Sequence, residues 1–208
     1  MARGRRRFRV PAEPPTGMAL TVLLAINAVG FGLWWWLGVN DPWLRTNLLV
    51  SDQLVFSGRV WTLLTSEFSH ANPMHLLFNL LALWVFGRDV ESVIGPMRFA
   101  MVYVLGGIAA SSAHVVWNVL VSPGVPALGA SGAVMAVAVL YGALFPTRTL
   151  MINFFLPVPA ALAVGLYVVL DVLGVLQGGG STAHAAHLGG AAVGFATWWS
   201  IRSRLRRG

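Results

Sequence analysis

No residue between Arg98 and Arg148 carries a fixed charge, and that run constrains the fold more than any other feature of the chain. A soluble surface must be hydrated, so soluble chains are about a quarter charged. Here charged residues make up 10% and hydrophobic residues 57%, with a mean hydropathy of +0.73. A water-soluble fold is excluded, and most of the surface is expected to face lipid. The run is too long for one membrane crossing, which takes about 20 residues. Ser122, Pro123, Gly124, Val125 and Pro126 divide it into segment 3, about 99–121, and segment 4, about 129–145.

The same reading yields four more segments. Segment 1, 18–38, is uncharged and long enough at ~1.5 Å per residue to cross a core of about 30 Å. It ends in Trp34, Trp35 and Trp36, an interface belt rather than a small-residue cleavage site. Segment 2 is centred on 74–86, with Pro73 suited to a helix start. Segment 5 runs from about 150 to 176, with Pro157 and Pro159 near its start. A turn at Gly178, Gly179, Gly180 and Ser181 leads to segment 6, about 182–201. The fold class is therefore all-α, a multi-pass membrane protein with six transmembrane helices. The expected organisation is a basic tail over 1–17, one membrane domain over 18–201 and a basic tail over 202–208.

Six spans put both ends on one side, and both ends are basic. Arg3, Arg5, Arg6, Arg7 and Arg9 stand at one, and Arg202, Arg204, Arg206 and Arg207 at the other. The positive-inside rule makes both termini cytoplasmic. Of the 14 basic residues, all arginine, only Arg45 and Arg59 then fall in outer loops. The net charge of +7 is thus accounted for by topology and contact with anionic lipid. No basic stripe with interleaved aromatics suggests nucleic acid. The expected location is the cell (plasma) membrane. The connection 39–72 is too apolar for a solvated loop and too often charged to span, so it is expected to lie in the outer interface.

Ionisable groups inside spans are costly and hence functional candidates. With this topology segments 2, 4 and 6 all begin at the outer face, and at their beginnings stand His75 and Asn79, then Ser131, then His184 and His187. Three distant parts of the chain thus bring polar groups to one depth. The chain has no cysteine, so a disulfide framework, a thiolate metal site and a cysteine nucleophile are all excluded. Ser131 lies within Gly129, Ala130, Ser131 and Gly132, at the first turn of a helix. Peptide N–H groups there lack intrahelical partners and can hold developing negative charge. The competing reading is a run of small packing residues. Positions 187, 190 and 194 share one helical face, so Gly190 and Gly194 would let segment 6 approach a neighbour while His187 rides on the same face. If that neighbour is segment 4, His187 meets Ser131 and can act as its base. His184 lies one turn nearer the surface.

His75 and Asn79 share a face of segment 2 and both can donate, which suits an oxyanion hole completed by the Ser131 backbone N–H. Asn79 could equally be interhelical glue. Glu67, Ser69 and His70 are expected to be loop hydrogen-bonders, and His114 structural. Asp171, near the outer end of segment 5, could orient a histidine as a third member or simply be hydrated.

Together these residues resemble the rhomboid intramembrane serine proteases. The matches are Gly129-Ala130-Ser131-Gly132, Ala186-His187-Leu188-Gly189-Gly190 and the stretch from Ser69 to Asn79, in that family's order on segments 4, 6 and 2. The resemblance covers roughly 18–201 and implies a six-helix rhomboid-like bundle. It implies a Ser131–His187 dyad without an acidic third member and an oxyanion hole from His75, Asn79 and the Ser131 N–H. It gives His70 a supporting role, with Gly129, Gly132 and Gly190 beside it, and it matches Glu91 past the inner end of segment 2. It further implies single-span membrane proteins as substrates, cut near the extracytoplasmic face, with no metal or cofactor. One departure stands out: many relatives have Trp-Arg before the first histidine, whereas Trp61 here precedes Thr62, with Arg59 two residues earlier. Two other classes compete. A transporter or channel binding a divalent metal through its histidines leaves Ser131 and its glycines unexplained, and a catalytically silent relative would be expected to lack the serine or the histidine.

Overall fold

The computed structural model describes residues 17–152, 156–178 and 183–205. The chain is mostly helical. Helix α1 (Met18–Leu37) is followed by three short helices, α2 (Pro42–Asn47), α3 (Asp52–Phe56) and α4 (Thr62–Thr65), and a 3-10 turn at Ser66–Phe68. Then come α5 (Pro73–Ile94), α6 (Pro96–Leu120) and α7 (Ser131–Leu144). A two-stranded antiparallel hairpin, β1 (Thr149–Ile152) and β2 (Leu156–Pro159), precedes α8 (Ala160–Leu176) and α9 (Ala183–Leu205).

Local chemistry sets the boundaries. Pro73 and Pro96 occupy first-turn positions, where the missing N–H costs nothing. Asn72 caps α5 by accepting from the His75 N–H at 2.8 Å, and Asp41 and Ser51 cap α2 and α3 in the same way. Gly95, at φ 81°, both ends α5 and starts α6, a corner that favours glycine.

Helix α7 lies at the centre, packed against α5, α6, α8 and α9. Its Ala133, Ala136, Val137 and Leu140 are fully buried, whereas large apolar side chains on the periphery, such as Trp36, Leu120 and Leu176, are exposed. Apolar area on that scale faces lipid rather than water. Two of the described helices, α1 and α6, are long and apolar enough to cross a membrane, and α7 and α8 are shorter apolar helices.

Several sequence expectations shift. Segment 2 extends through Arg88 and Asp89 to Ile94, because Glu91 is buried rather than hydrated. Its carboxylate accepts from the Ala19 N–H at 3.2 Å and the Leu20 N–H at 3.0 Å, satisfying the first turn of α1. Segment 5 does not start as a helix at 150. Prolines at 157 and 159 cannot donate in a helical ladder, and the chain instead forms the hairpin, tied to α5 by an Arg148–Asp89 ion pair. That hydrogen bond to Asp89 raises the Arg148 guanidinium above its ordinary range. Trp34 does not share a belt with its neighbours: about 100° of helical rotation per residue turns it inward onto Leu44 and Leu49 while Trp35 and Trp36 point out.

The connection 39–72 is anchored by its own contacts. Leu44 is fully buried against Trp34, Trp61 donates to the Asn47 side chain at 3.1 Å, and Thr65 donates to the Asn47 carbonyl. Val50 forms a β-bridge with Ala127. Buried Thr62 donates to the Arg59 carbonyl at 2.7 Å. Residues 1–16 of the first basic tail, 206–208 of the second, and Gly179 to Thr182 of the segment 5–6 connection lie outside the described residues.

Candidate active site

The site is built around the N-terminus of α7. Gly129, at φ 123°, donates its N–H to the Ser66 carbonyl at 2.9 Å and turns the chain into the helix. Its α-carbon faces the His75 ring so closely that a Cβ would lie 2.8 Å from Nε2. No side chain among the described residues caps α7, so the first-turn N–H groups beside Ser131 lack a side-chain acceptor there. The preceding connection is held by α6, where the Val125 carbonyl accepts from His114 Nε2 at 3.0 Å and from the Asn118 amide at 2.7 Å. A carbonyl can only accept, which assigns the His114 proton to Nε2.

Helix α9 lies against α7 through glycines. A side chain at Gly190 would strike the Gly132 carbonyl, and one at Gly194 the Ala136 carbonyl. Gly132 in turn faces Ala110 of α6. This backbone-to-backbone approach brings His187 Nε2 to 3.0 Å from Ser131 Oγ, within hydrogen-bond reach. On the far side of the ring, His187 Nδ1 lies 3.1 Å from Asp171 Oδ1 of α8, and His184 Nδ1 lies 2.7 Å from the same oxygen. Asp171 is 5% exposed. It is not the hydrated interface aspartate that the sequence allowed, because α9 covers it.

The remaining candidates are arranged less directly. Asn79 is buried and its amide donates to the His75 carbonyl at 3.0 Å, which leaves one further amide hydrogen. His70 packs edge-on against His75, ring centroids 5.0 Å apart. Glu67, Ser69 and His70 are not loop hydrogen-bonders: all three are buried, and their side-chain polar atoms have no hydrogen-bond partner among the described residues. The Glu67 carboxyl sits on Gly107 of α6. Among the described residues no group of three or more acidic or histidine side chains is arranged to hold a metal ion.

What sequence reasoning undervalued is Asp171 and its link to both histidines. The available signal was its isolation: α8 carries no other charged residue, and a lone acid in an apolar helix needs a partner.

Fold and geometry define a helical membrane protein with a serine and a histidine in hydrogen-bond contact at the start of its central helix. The chain matches the Rhomboid domain over residues 57–204. It is 34% identical over 195 residues to RHOMBOID-like protein 12, mitochondrial, of Arabidopsis thaliana, covering 86% of this chain and 57% of that protein. It is 33% identical over 191 residues to Rhomboid protein 1, mitochondrial, of Saccharomyces cerevisiae, covering 89% and 54%. It is 34% identical over 180 residues to the Presenilin-associated rhomboid-like protein, mitochondrial, of Homo sapiens, covering 84% and 46%. The chain belongs to the rhomboid family, whose setting is the membrane and whose chemistry is intramembrane proteolysis. It spans about half the length of the curated relatives it matches.

These relatives overturn the expected cell (plasma) membrane location, since all three are named as mitochondrial. The physical reason for the error is plain. Arginine asymmetry reports which face of a bilayer is which, and that bias carries no label for the compartment.

Proposed function

We propose that this chain is an intramembrane serine endopeptidase that cleaves transmembrane segments of membrane proteins through a Ser131–His187 dyad. The observation that carries this reading is the 3.0 Å separation of His187 Nε2 and Ser131 Oγ. In the proposed fold, α1, α5, α6, α7, α8 and α9 are six spans forming one domain over 18–201, with both arginine-rich tails on one side. The site then opens near the face opposite those tails.

The Ser131 hydroxyl attacks the scissile carbonyl carbon as its proton passes to His187 Nε2, forming the Oγ–C bond and an oxyanion. The Ser131 N–H, the second amide hydrogen of Asn79 and the His75 ring are the donors proposed for that oxyanion. Collapse breaks the C–N bond, and the leaving amine takes the proton from His187. Water then attacks the ester carbonyl, giving a proton to His187; the Oγ–C bond breaks, His187 returns that proton to Ser131 Oγ, and the carboxylic acid product leaves. Helix α7 has 14 residues, about 21 Å of helix against a core of about 30 Å, so Ser131 lies below the bilayer surface yet within reach of water. A substrate helix must unwind to expose its peptide bond, so single-span proteins with helix-weakening residues near that face are the expected clients.

The test is labelling of detergent-solubilised protein with a fluorophosphonate or isocoumarin probe. Wild type should label and Ser131→Ala should not. Labelling that persists in Ser131→Ala removes the nucleophile.

A further inference from the structure

Asp171, His187 and Ser131 form an unbroken line across three helices. Asp171 of α8 presents Oδ1 to His187 Nδ1 at 3.1 Å, and the opposite edge of that ring meets Ser131 Oγ of α7 at 3.0 Å. We propose that Asp171 is a positioning residue for the cleavage reaction, so that a Ser131–His187–Asp171 relay stands where the family resemblance implies a dyad alone. This rests on the Ser131–His187 reading above.

The chemistry follows from what each atom can do. A carboxylate only accepts, so the His187 proton must sit on Nδ1, and the bare Nε2 of the neutral ring then accepts from the Ser131 hydroxyl. Without that partner either tautomer is available, and the one protonated on Nε2 cannot act as base. When the hydroxyl proton moves to Nε2, the ring becomes a cation beside the Asp171 carboxylate. In a partly dry site that attraction is far stronger than in water. The Nδ1 proton stays on the ring throughout.

The carboxylate is itself held. His184 Nδ1 donates to the same Oδ1 at 2.7 Å, and the His184 ring fills the space over Gly174, where a Cβ would lie 2.6 Å from its Cγ. Positions 171 and 174 share one face of α8. That face therefore grips α9 through one ring while its carboxylate aligns the other. A hydrated surface aspartate would show neither the burial nor the shared contact.

The test compares wild type, Asp171→Asn, Asp171→Glu, His184→Ala and Ser131→Ala as full chains in liposomes, reading kcat and KM on a fluorescent transmembrane reporter and the unfolding midpoint in detergent. Asp171→Asn can donate to Nδ1 and favour the wrong tautomer, so kcat should fall by about a hundred- to ten-thousandfold, with KM within about twofold and the midpoint retained. Asp171→Glu should recover at least about tenfold of that loss. His184→Ala, which leaves the Asp171–His187 contact in place, should lose less than Asp171→Asn. An Asp171→Asn kcat within about threefold of wild type overturns the relay. So does an equal loss in Asp171→Asn and Asp171→Glu with a lowered midpoint, which would make Asp171 a structural tie. Cleavage by Ser131→Ala would instead remove the underlying serine mechanism, whereas an inert Ser131→Ala beside a fully active Asp171→Asn removes the relay alone.

Discussion

Replacing Gly190 by alanine tests whether the α7–α9 approach sets the reaction geometry. A Cβ at that position would lie 2.8 Å from the Gly132 carbonyl carbon and 3.3 Å from its Cα, with the carbonyl oxygen closer still. Carbon atoms rest at about 3.5–4.0 Å, and the obstacle is backbone that cannot rotate away, so α9 must retreat by about 1 Å or more. The 3.0 Å His187–Ser131 contact would then open to about 4 Å, beyond the roughly 2.6–3.2 Å a general base requires. Misplacement on the order of 1 Å costs about a hundredfold in rate, and overpacking about 1–3 kcal/mol in stability. Gly190→Ala is therefore expected to lower turnover of a transmembrane reporter about a hundredfold while the protein stays folded in detergent. Gly165→Ala on α8 is the control, because a Cβ there meets nothing within 4 Å. Wild-type turnover in Gly190→Ala, or an equal loss in Gly165→Ala, would refute the reasoning.

Two further substitutions separate chemistry from scaffold. Asn79→Ala deletes one proposed oxyanion donor and leaves the others, so turnover should fall by roughly ten- to a thousandfold while probe labelling of Ser131 continues; an unchanged turnover number would leave Asn79 as packing alone. Glu91→Ala strips two N–H groups at the start of α1 of their acceptor. Lost charge-assisted bonds of this kind cost about 1.5–3 kcal/mol each, so the unfolding midpoint should drop with labelling at low temperature intact, and an unmoved midpoint would show that α1 needs no such cap.

Much of the helix pattern was legible because hydropathy and breakers are local. The centre of α6 and the Pro123-Gly124-Val125-Pro126 interruption before α7 can be read residue by residue. The hairpin at 149–159 was not, since a short apolar run reads as either strand or helix until pairing is known, and only the prolines within it argued against helix. Glu91 looked like the inner end of a span because its partners, the N–H groups of Ala19 and Leu20, are some seventy positions away. Glu67 looked like a loop residue because nothing in its neighbourhood predicts that α6 will cover it.

By itself the sequence determined that the chain lives in a membrane and which polar residues begin its helices at one end. Both follow from one-dimensional quantities, the run of apolar residues and the 3.6-residue period. Depth is a single coordinate, however, and two side chains at the same depth can still face opposite ways. Only the tertiary structure decided that His187 touches Ser131 and that Asp171 touches both His184 and His187. Contact needs the rotation of each helix and the spacing between axes, and those are set where Gly190 and Gly194 meet the carbonyls of Gly132 and Ala136, between segments that the sequence keeps more than fifty residues apart.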